Sequence, residues 1–477
     1  MDAADVRSTN LAVVLRCVRD LAPCSRADIA AATGLNKTTV SSLVSELLKR
    51  RLLREVGTTG NRVGRPAVLL TLDGASYAAI GIEVSTDYLS AVAVDIAGRT
   101  VLSWRRALPG ATGSPARALT AVASLTRRVI ARAERDGRKV LGLAVALPGT
   151  LGPDPSGSAG LPGSFPAPAD SPGAPGAPGS RGPREHAGDP ALASAAARDW
   201  RDADFAADLA AALRLPGLHV ETGNDADFGV LAEHRYGPHA GTADLVYLAG
   251  GGALGAGLVI DGALRAGSAG YSGEIGHIPV VPGGPACHCG RRGCMEAVAG
   301  IAAVIRRAAA DPQTPDIGGR PPIAEMEPLI DEITARARAG DAATLDALTG
   351  AGRDLGAGIA ILANVLDPRV VVLGGHYAEL APWLLPAAGA ELRDRAIAAE
   401  HGGCRVVAST LGLDAPALGA TARILDAVET GRLPGDPHTP ARVRGGRAPL
   451  DPSRAARAAE RPALPAPVPT ATDGTPT

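Results

Sequence analysis

Apolar residues recur at helical spacing through the first fifty positions. Leu11, Val14, Leu15, Val18 and Leu21 share one face of a first helix, with Ser8 or Thr9 as the cap at its start. The stretch RADIAAATG predicts a short second helix that begins after Ser25 and stops at Gly34. NKTTVSSLVSELLKR predicts a third that begins at Asn36 and turns Val40, Leu43, Val44, Leu47 and Leu48 inward. Three helices with a glycine turn between the second and third predict a helix-turn-helix. In LLREVGTTGNRVGRPAVLLTL, apolar and polar residues then alternate around a Gly-rich tip, the pattern of a β-hairpin wing.

From there the chain reads as strands. Residues 76–108 read as three strands, YAAIGIEVS, YLSAVAVDI and GRTVLSWRRAL, followed by a helix over about 114–136 and the strand LGLAVALPG. A second set starts at Asp244 with VYLAGGGALGAGLVIDGALRAG. It continues through helices over about 296–309 and 325–366, the strand RVVVLGG, another helix, the strand CRVVAST and a helix near 416–428. Two α/β halves, each opening with antiparallel strands, predict two lobes around a cleft. Residues 152–190 and the chain from 429 to 477 are dominated by Gly, Pro, Ala, Ser and Arg with few large apolar residues, so a disordered insertion and tail are expected. The expected division is a winged helix-turn-helix over 1–72, a two-lobed α/β domain over 76–428 and the tail.

Length and composition agree with this division. A chain of 477 residues, 46% of them hydrophobic, can bury a large core in two or three domains. Apolar runs such as LGLAVALP fall far short of a bilayer span, and MDAADVRSTN lacks a basic stretch followed by an apolar one, so a soluble cytoplasmic protein is expected. The net charge of −1 hides an uneven spread, since residues 1–70 hold eleven Lys/Arg against six Asp/Glu. A basic end carrying a helix-turn-helix is the footprint of a DNA-binding segment. On that reading Asn36, Lys37, Thr38, Thr39 and Ser42 of the third helix face an operator duplex in its major groove, and Arg62 and Arg65 of the wing reach the backbone or adjacent minor groove. A small helical bundle without a DNA role would leave the basic balance and the Arg-bearing wing unexplained.

Six cysteines in this length do not make a disulfide scaffold, yet three of them, Cys287, Cys289 and Cys294, fall within eight residues. Zinc takes four nitrogen or sulfur donors in a tetrahedron, and a Gly-rich knuckle can supply three thiolates. His277, ten residues before Cys287, is a fourth donor, with His288 as its competitor.

The string Gly273-Glu-Ile-Gly-His277, followed by Cys287-x-Cys289-Gly-x2-Gly-Cys294-x-Glu296, resembles the signature of the ROK family, which groups bacterial sugar kinases, open reading frames and sugar-responsive repressors. The Leu147-Pro148-Gly149 turn, the Asn224-Asp225 pair, AGGGALGAGLVIDG and LDPRVVVLGG stand in family order. With the winged helix in front, the chain is most similar to the family's transcriptional regulators. The resemblance implies an actin-like, sugar-kinase-type fold with zinc beside a sugar site. It also implies that Asn224, Asp225, Glu274, His277 and Glu296 hydrogen-bond a monosaccharide or sugar-derivative effector. In kinases of the family the residue matching Asp225 is the catalytic base.

Two departures bear on activity. Family kinases carry a phosphate loop, D-x-G-G-T, where this chain reads Glu83-Val84-Ser85-Thr86-Asp87; without glycines, Val84 and Ser85 are expected to crowd the phosphates and Glu83 and Asp87 to repel them. The family's Asn before the Asn-Asp pair is replaced by Ala197 in SAAARDW. A sugar-controlled repressor or activator that acts as a homodimer or higher homo-oligomer is therefore expected, repression being the favoured sign, with an ATP-dependent sugar kinase as the alternative.

Overall fold

The computed structural model describes residues 3–58, 67–86, 88–108, 115–149, 204–268, 270–308, 323–397 and 403–434. Helices α1 (Ala3–Leu21), α2 (Arg26–Thr33) and α3 (Lys37–Lys49) and strands β1 (Cys24–Ser25), β2 (Leu53–Thr58) and β3 (Val68–Leu72) form the head, with the strands in order β1-β3-β2. Local chemistry sets its turns. Ser25 and Asp28 exchange side-chain and backbone bonds in a capping box, Gly34 takes a left-handed conformation, and Asn36 Oδ1 accepts the Thr39 amide at 2.7 Å. The start of α1 differs from expectation: Ser8 lies inside the helix, and its hydroxyl donates to the Gly431 carbonyl at 3.2 Å.

Two five-stranded sheets follow, built on one plan. In the first lobe β4 (Tyr77–Val84), β5 (Tyr88–Asp95) and β6 (Thr100–Ala107) pair antiparallel, and β7 (Lys139–Leu147) and β8 (Val220–Asn224) join in parallel, giving the order β6-β5-β4-β7-β8. The second lobe repeats it with β9 (Leu245–Gly250), β10 (Leu254–Ile260), β11 (Ala263–Leu264), β12 (Val370–Gly375) and β13 (Arg405–Ala408) in the order β11-β10-β9-β12-β13.

Side chains alternate across each sheet, so each has two faces to cover. Ile80, Ile82 and Val84 of β4 meet α4 (Pro115–Arg135) and α5 (Phe205–Leu213). The opposite face, with Ala79, Ala144 and Ala146, packs on Phe228 and Leu231 of α6 (Asp225–Tyr236) and on Ala417, Ala420 and Ile424 of α12 (Ala415–Glu429). Val230 and Ala232 of α6 and Ala415 of α12 also reach the second sheet at Tyr247, Val370 and Val372, so these two helices lie between the lobes. The far face of the second sheet is covered by α7 (Met295–Ala299), α8 (Ile301–Ala308), α9 (Ile323–Arg338), α10 (Ala342–Leu366) and α11 (His376–Arg395). The helix expected over 325–366 is thus two, because Gly340 turns left-handed and Asp341 caps α10 through the Thr344 amide.

Glu429 ends α12 and Leu433 is buried, so the packed chain extends past the position where the tail was expected to begin. The expected insertion at 152–190, Ala197, Asp87, Arg62 and Arg65 lie outside the described residues.

Candidate functional site

The end of β10 gathers the site. Gly273 has φ +84°, and a Cβ there would lie 1.8 Å from the Ala256 carbonyl, so only glycine lets the GEIGH turn close against the strand. The Ala256 amide donates to the Gly273 carbonyl at 2.8 Å, which fixes Glu274 and His277 beside β10. From the other side, the first turn of α6 crosses the same strand, where a Cβ on Gly257 would lie 2.1 Å from the Ala226 carbonyl. That crossing brings Asn224 and Asp225 to β10. Glu296, in the first turn of α7, reaches back so that its Oε2 accepts the Leu254 amide at 2.5 Å.

Not all five sugar candidates are equally free. Asn224 caps α6: Oδ1 accepts the Ala226 and Asp227 amides at 2.8 and 3.1 Å, while Nδ2 donates to the Gly149 carbonyl at 2.7 Å. Its oxygen, one of its two N–H groups and one Glu296 oxygen are therefore committed to backbone. His277 Nε2 lies 3.7 Å from Glu274 Oε2, leaving Nδ1 turned to the cysteines.

Donor atoms of His277, Cys287, Cys289 and Cys294 all lie within 4.8 Å of one another. His277 Nδ1 is 3.8 Å from Cys287 Sγ, and the Cys289 and Cys294 sulfurs are 3.6 Å apart. A tetrahedron with zinc–sulfur bonds of about 2.3 Å has edges of about 3.8 Å, so the residues present fit a zinc ion. His288 comes within 3.9 Å of Cys287 Sγ, but its ring stands edge-on to His277 and it falls outside the four-donor group. Burial pushes the Cys287 thiol up to about 12, whereas at Cys289 burial is outweighed by hydrogen bonds from the Arg291 backbone and the neighbouring cysteines, which hold it below the usual thiol value.

At the end of β4 stand Glu83 to Thr86, the described part of the stretch matched to the phosphate loop. Glu83 is buried, and its carboxyl accepts from the Tyr88 hydroxyl at 2.9 Å and the Ser90 hydroxyl at 3.2 Å. Burial, then the charge of Asp225, push Glu83 up to about 8, and the same causes push Asp227 up to about 7. Glu83 is thus mostly neutral at pH 7, which corrects the expectation that it repels phosphate. The crowding expected from Val84 comes instead from Thr86, since Val84 is buried in the first lobe's core. A Cβ built on Gly252 would lie 2.2 Å from Thr86 Oγ1, so Thr86 packs against the glycine turn between β9 and β10. The long-range contacts of Glu83 and Thr86 carry no local sequence signal.

On the head, Asn36, Lys37, Thr38 and Ser42 are exposed at the start of α3 and Thr39 is half-buried. The Asn36 oxygen is engaged as the helix cap, which leaves its amide nitrogen for another partner. The opposite face buries Val40, Leu43, Val44 and Leu47.

A helix-turn-helix head on a twice-repeated α/β body with a cysteine–histidine knuckle defines a transcriptional regulator on a sugar-kinase-type scaffold. A family model described as "ROK family" matches residues 79–427, and one described as "IclR helix-turn-helix domain" matches 9–57. The chain belongs to the ROK family. Similar proteins include the xylose repressor of Bacillus subtilis (strain 168), 26% identical over 89% of this chain and 98% of the relative. The DNA-binding transcriptional dual regulator NagC of Escherichia coli (strain K12) is 26% identical over 90% of this chain and 95% of the relative. Among solved structures, a ROK family transcriptional regulator described as a homolog of the E. coli MLC protein matches with TM-score 0.64 and 22% identity, covering 90% of this chain and 98% of that one. A ROK family glucokinase from Streptomyces griseus, solved with glucose and AMPPNP, matches with TM-score 0.52 and 25% identity over 72% of this chain and 98% of that one. Among the described residues no helix is long and apolar enough to cross a membrane.

Proposed function

We propose that the chain is a sugar-responsive repressor whose cleft binds a monosaccharide without phosphorylating it. The observation that supports this reading is the packing of Thr86 against Gly252, which sets a threonine side chain on the glycine turn where the family's kinases carry a glycine phosphate loop. Phosphoryl transfer depends on backbone donors and charge neutralisation around the transferred group. Here the Ser85 amide is spent on the Tyr88 carbonyl at 3.0 Å, and Glu83 to Thr86 carry no cation. Asp225 then acts as a hydrogen-bond acceptor for a sugar hydroxyl, together with Glu274, His277, the free Glu296 oxygen and the remaining Asn224 N–H.

His277, Cys287, Cys289 and Cys294 would hold zinc, which cross-links the knuckle and supplies no reactive group. Its support is the donor set and its spacing. Rigid thiolate coordination holds Glu274 and Glu296 on either side of the knuckle, the second through its bond to Leu254. Lys37, Thr38, Thr39, Ser42 and the Asn36 amide on α3, with Arg62 and Arg65 in the wing, would read operator DNA, and a homodimer would present two such heads to paired half-sites.

Relatives named xylose repressor and N-acetylglucosamine repressor suggest xylose and N-acetylglucosamine as first effectors to try. The test incubates the protein with Mg-ATP and each sugar, measuring ADP release beside affinity for a duplex that the protein selects from a random-sequence pool. A change in duplex affinity without ADP is expected. Sugar-dependent ADP formation abolished by Asp225→Asn would replace the repressor reading with a kinase carrying a DNA-binding head.

A further inference from the structure

The two ends of α6 meet different parts of the molecule. At its start, Asn224 and Asp225 stand at the cleft. Ten residues on from Asp225, about 15 Å away at about 1.5 Å per residue, Arg235 lies between two carboxylates of α12. Its guanidinium donates to Asp426 Oδ1 at 2.7 Å and to Glu429 Oε1 at 2.6 Å. Glu429 in turn takes the head: its carboxylate accepts from Arg19 and its carbonyl from Arg16 Nη1 at 2.7 Å, both on α1. Arg50, beyond α3, donates to the Pro434 carbonyl at 3.3 Å, and Ser8 holds Gly431. Arg235 is 14% exposed and Glu429 6%, so the centre of the network is largely desolvated, while Arg19 on its head side is 36% exposed.

We infer that α6 and Glu429 are a coupling element, with Arg235 and Glu429 as positioning residues that tie occupancy of the cleft to the posture of the DNA-reading head. This deepens the repressor reading and rests on it for the sugar's place at Asn224 and Asp225. Two physical points favour it. Desolvation offsets much of the Coulomb gain of a buried ion cluster, so its contribution lies in fixing one geometry rather than in stability. And α6 touches both sheets through Phe228 and Leu231 on one side and Val230 and Ala232 on the other, so a change of lobe angle moves the helix. A helix is stiff along its axis, and a shift at Asp225 reaches Arg235. The apolar contacts of Leu11, Val14, Leu15 and Val18 in the cluster with Leu425, Val428 and Leu433 hold the head nearby, while the ion network sets its angle.

Hydrogen exchange on the full-length protein, without sugar or DNA, tests both halves. Arg16→Ala with Arg19→Ala cuts the head side alone and leaves Arg235, Asp426 and Glu429 in place. Amides of residues 3–21 and 426–434 should then exchange at least tenfold faster, with β4, β7, β9 and β12 unchanged. Asp225→Asn perturbs only the cleft end, and it too should change exchange at residues 3–21 by threefold or more. Unchanged exchange at residues 3–21 in either variant overturns the coupling. With xylose or N-acetylglucosamine as probe, whichever shifts wild-type affinity for the selected duplex should shift the Arg16/Arg19 variant by less than twofold, at unaltered sugar affinity by calorimetry. A fully retained shift also overturns it. Failure of both sugars to bind would sink the sugar reading but not the coupling, since neither exchange measurement uses a sugar.

Discussion

The neutral state of Glu83 makes a pH-dependent prediction. Glu83 is fully enclosed, donated to by the Tyr88 and Ser90 hydroxyls, and raised from 4.5 to about 8. The sign follows from linkage. Below pH 4.5 the carboxyl is protonated in both folded and unfolded chains and has no net effect. Between 4.5 and about 8 the unfolded chain ionises while the folded one holds its proton, so stability falls as pH rises; above 8 the loss is complete. At about 1.4 kcal/mol per unit, that interval amounts to about 5 kcal/mol, and structural relaxation brings the expected loss to on the order of 2–4 kcal/mol. Glu83→Gln keeps the shape, and the two hydroxyls can reorient to bond an amide. The variant should match wild type near pH 5 and exceed it at pH 8. Urea unfolding of both proteins at pH 5 and pH 8 measures the difference. An equal difference between the proteins at the two pH values would show that Glu83 is ionised in the fold and would refute the reasoning.

The other predictions address the knuckle, the helix pair and the head. Wild type should carry about one zinc per chain by elemental analysis, and Cys294→Ser, at a buried ligand position, should lose it and melt several degrees lower. In Gly419→Ala a new Cβ would lie 1.6 Å from the Phe228 carbonyl, pushing α12 off α6 at a cost of about 1–3 kcal/mol in chemical unfolding. Asn36→Ala removes the cap of α3, which should destabilise the protein by about 1 kcal/mol and weaken duplex binding. Arg65→Ala should weaken duplex binding and lower the slope of log affinity against log salt by about one; an unchanged slope removes the wing from the DNA contact.

Much of the architecture is legible in the sequence because its signals are local. The capping pairs Ser25/Asp28 and Asn36/Thr39 act across three residues, and the helix-turn-helix they bound stands where the periodicity placed it. Short, nearly continuous apolar runs mark β4, β5 and β10, and the Cys287/Cys289/Cys294 spacing marks the knuckle. Helix α6 leaves no such mark. Buried against α12 and both sheets, it carries Ala226, Phe228, Gly229, Val230, Leu231, Ala232 and Glu233 inside, so no polar face alternates with an apolar one, and it is absent from the periodic pattern. Strand β8, VETGN, has one large apolar residue and is likewise unmarked. What these elements do is decided by partners far along the chain: Asn224 held by Gly149, Glu296 by Leu254, Thr86 set against Gly252, and Glu429 drawn between Arg19 and Arg235. Residue types and short spacings determine helices, strands and a metal-ligand set, because those depend on groups a few bonds apart. Which carboxylate is neutral, which side chain packs on the glycine turn and which acid holds the head depend on burial and on contacts between distant segments, and those exist only once the two lobes have packed around α6 and α12.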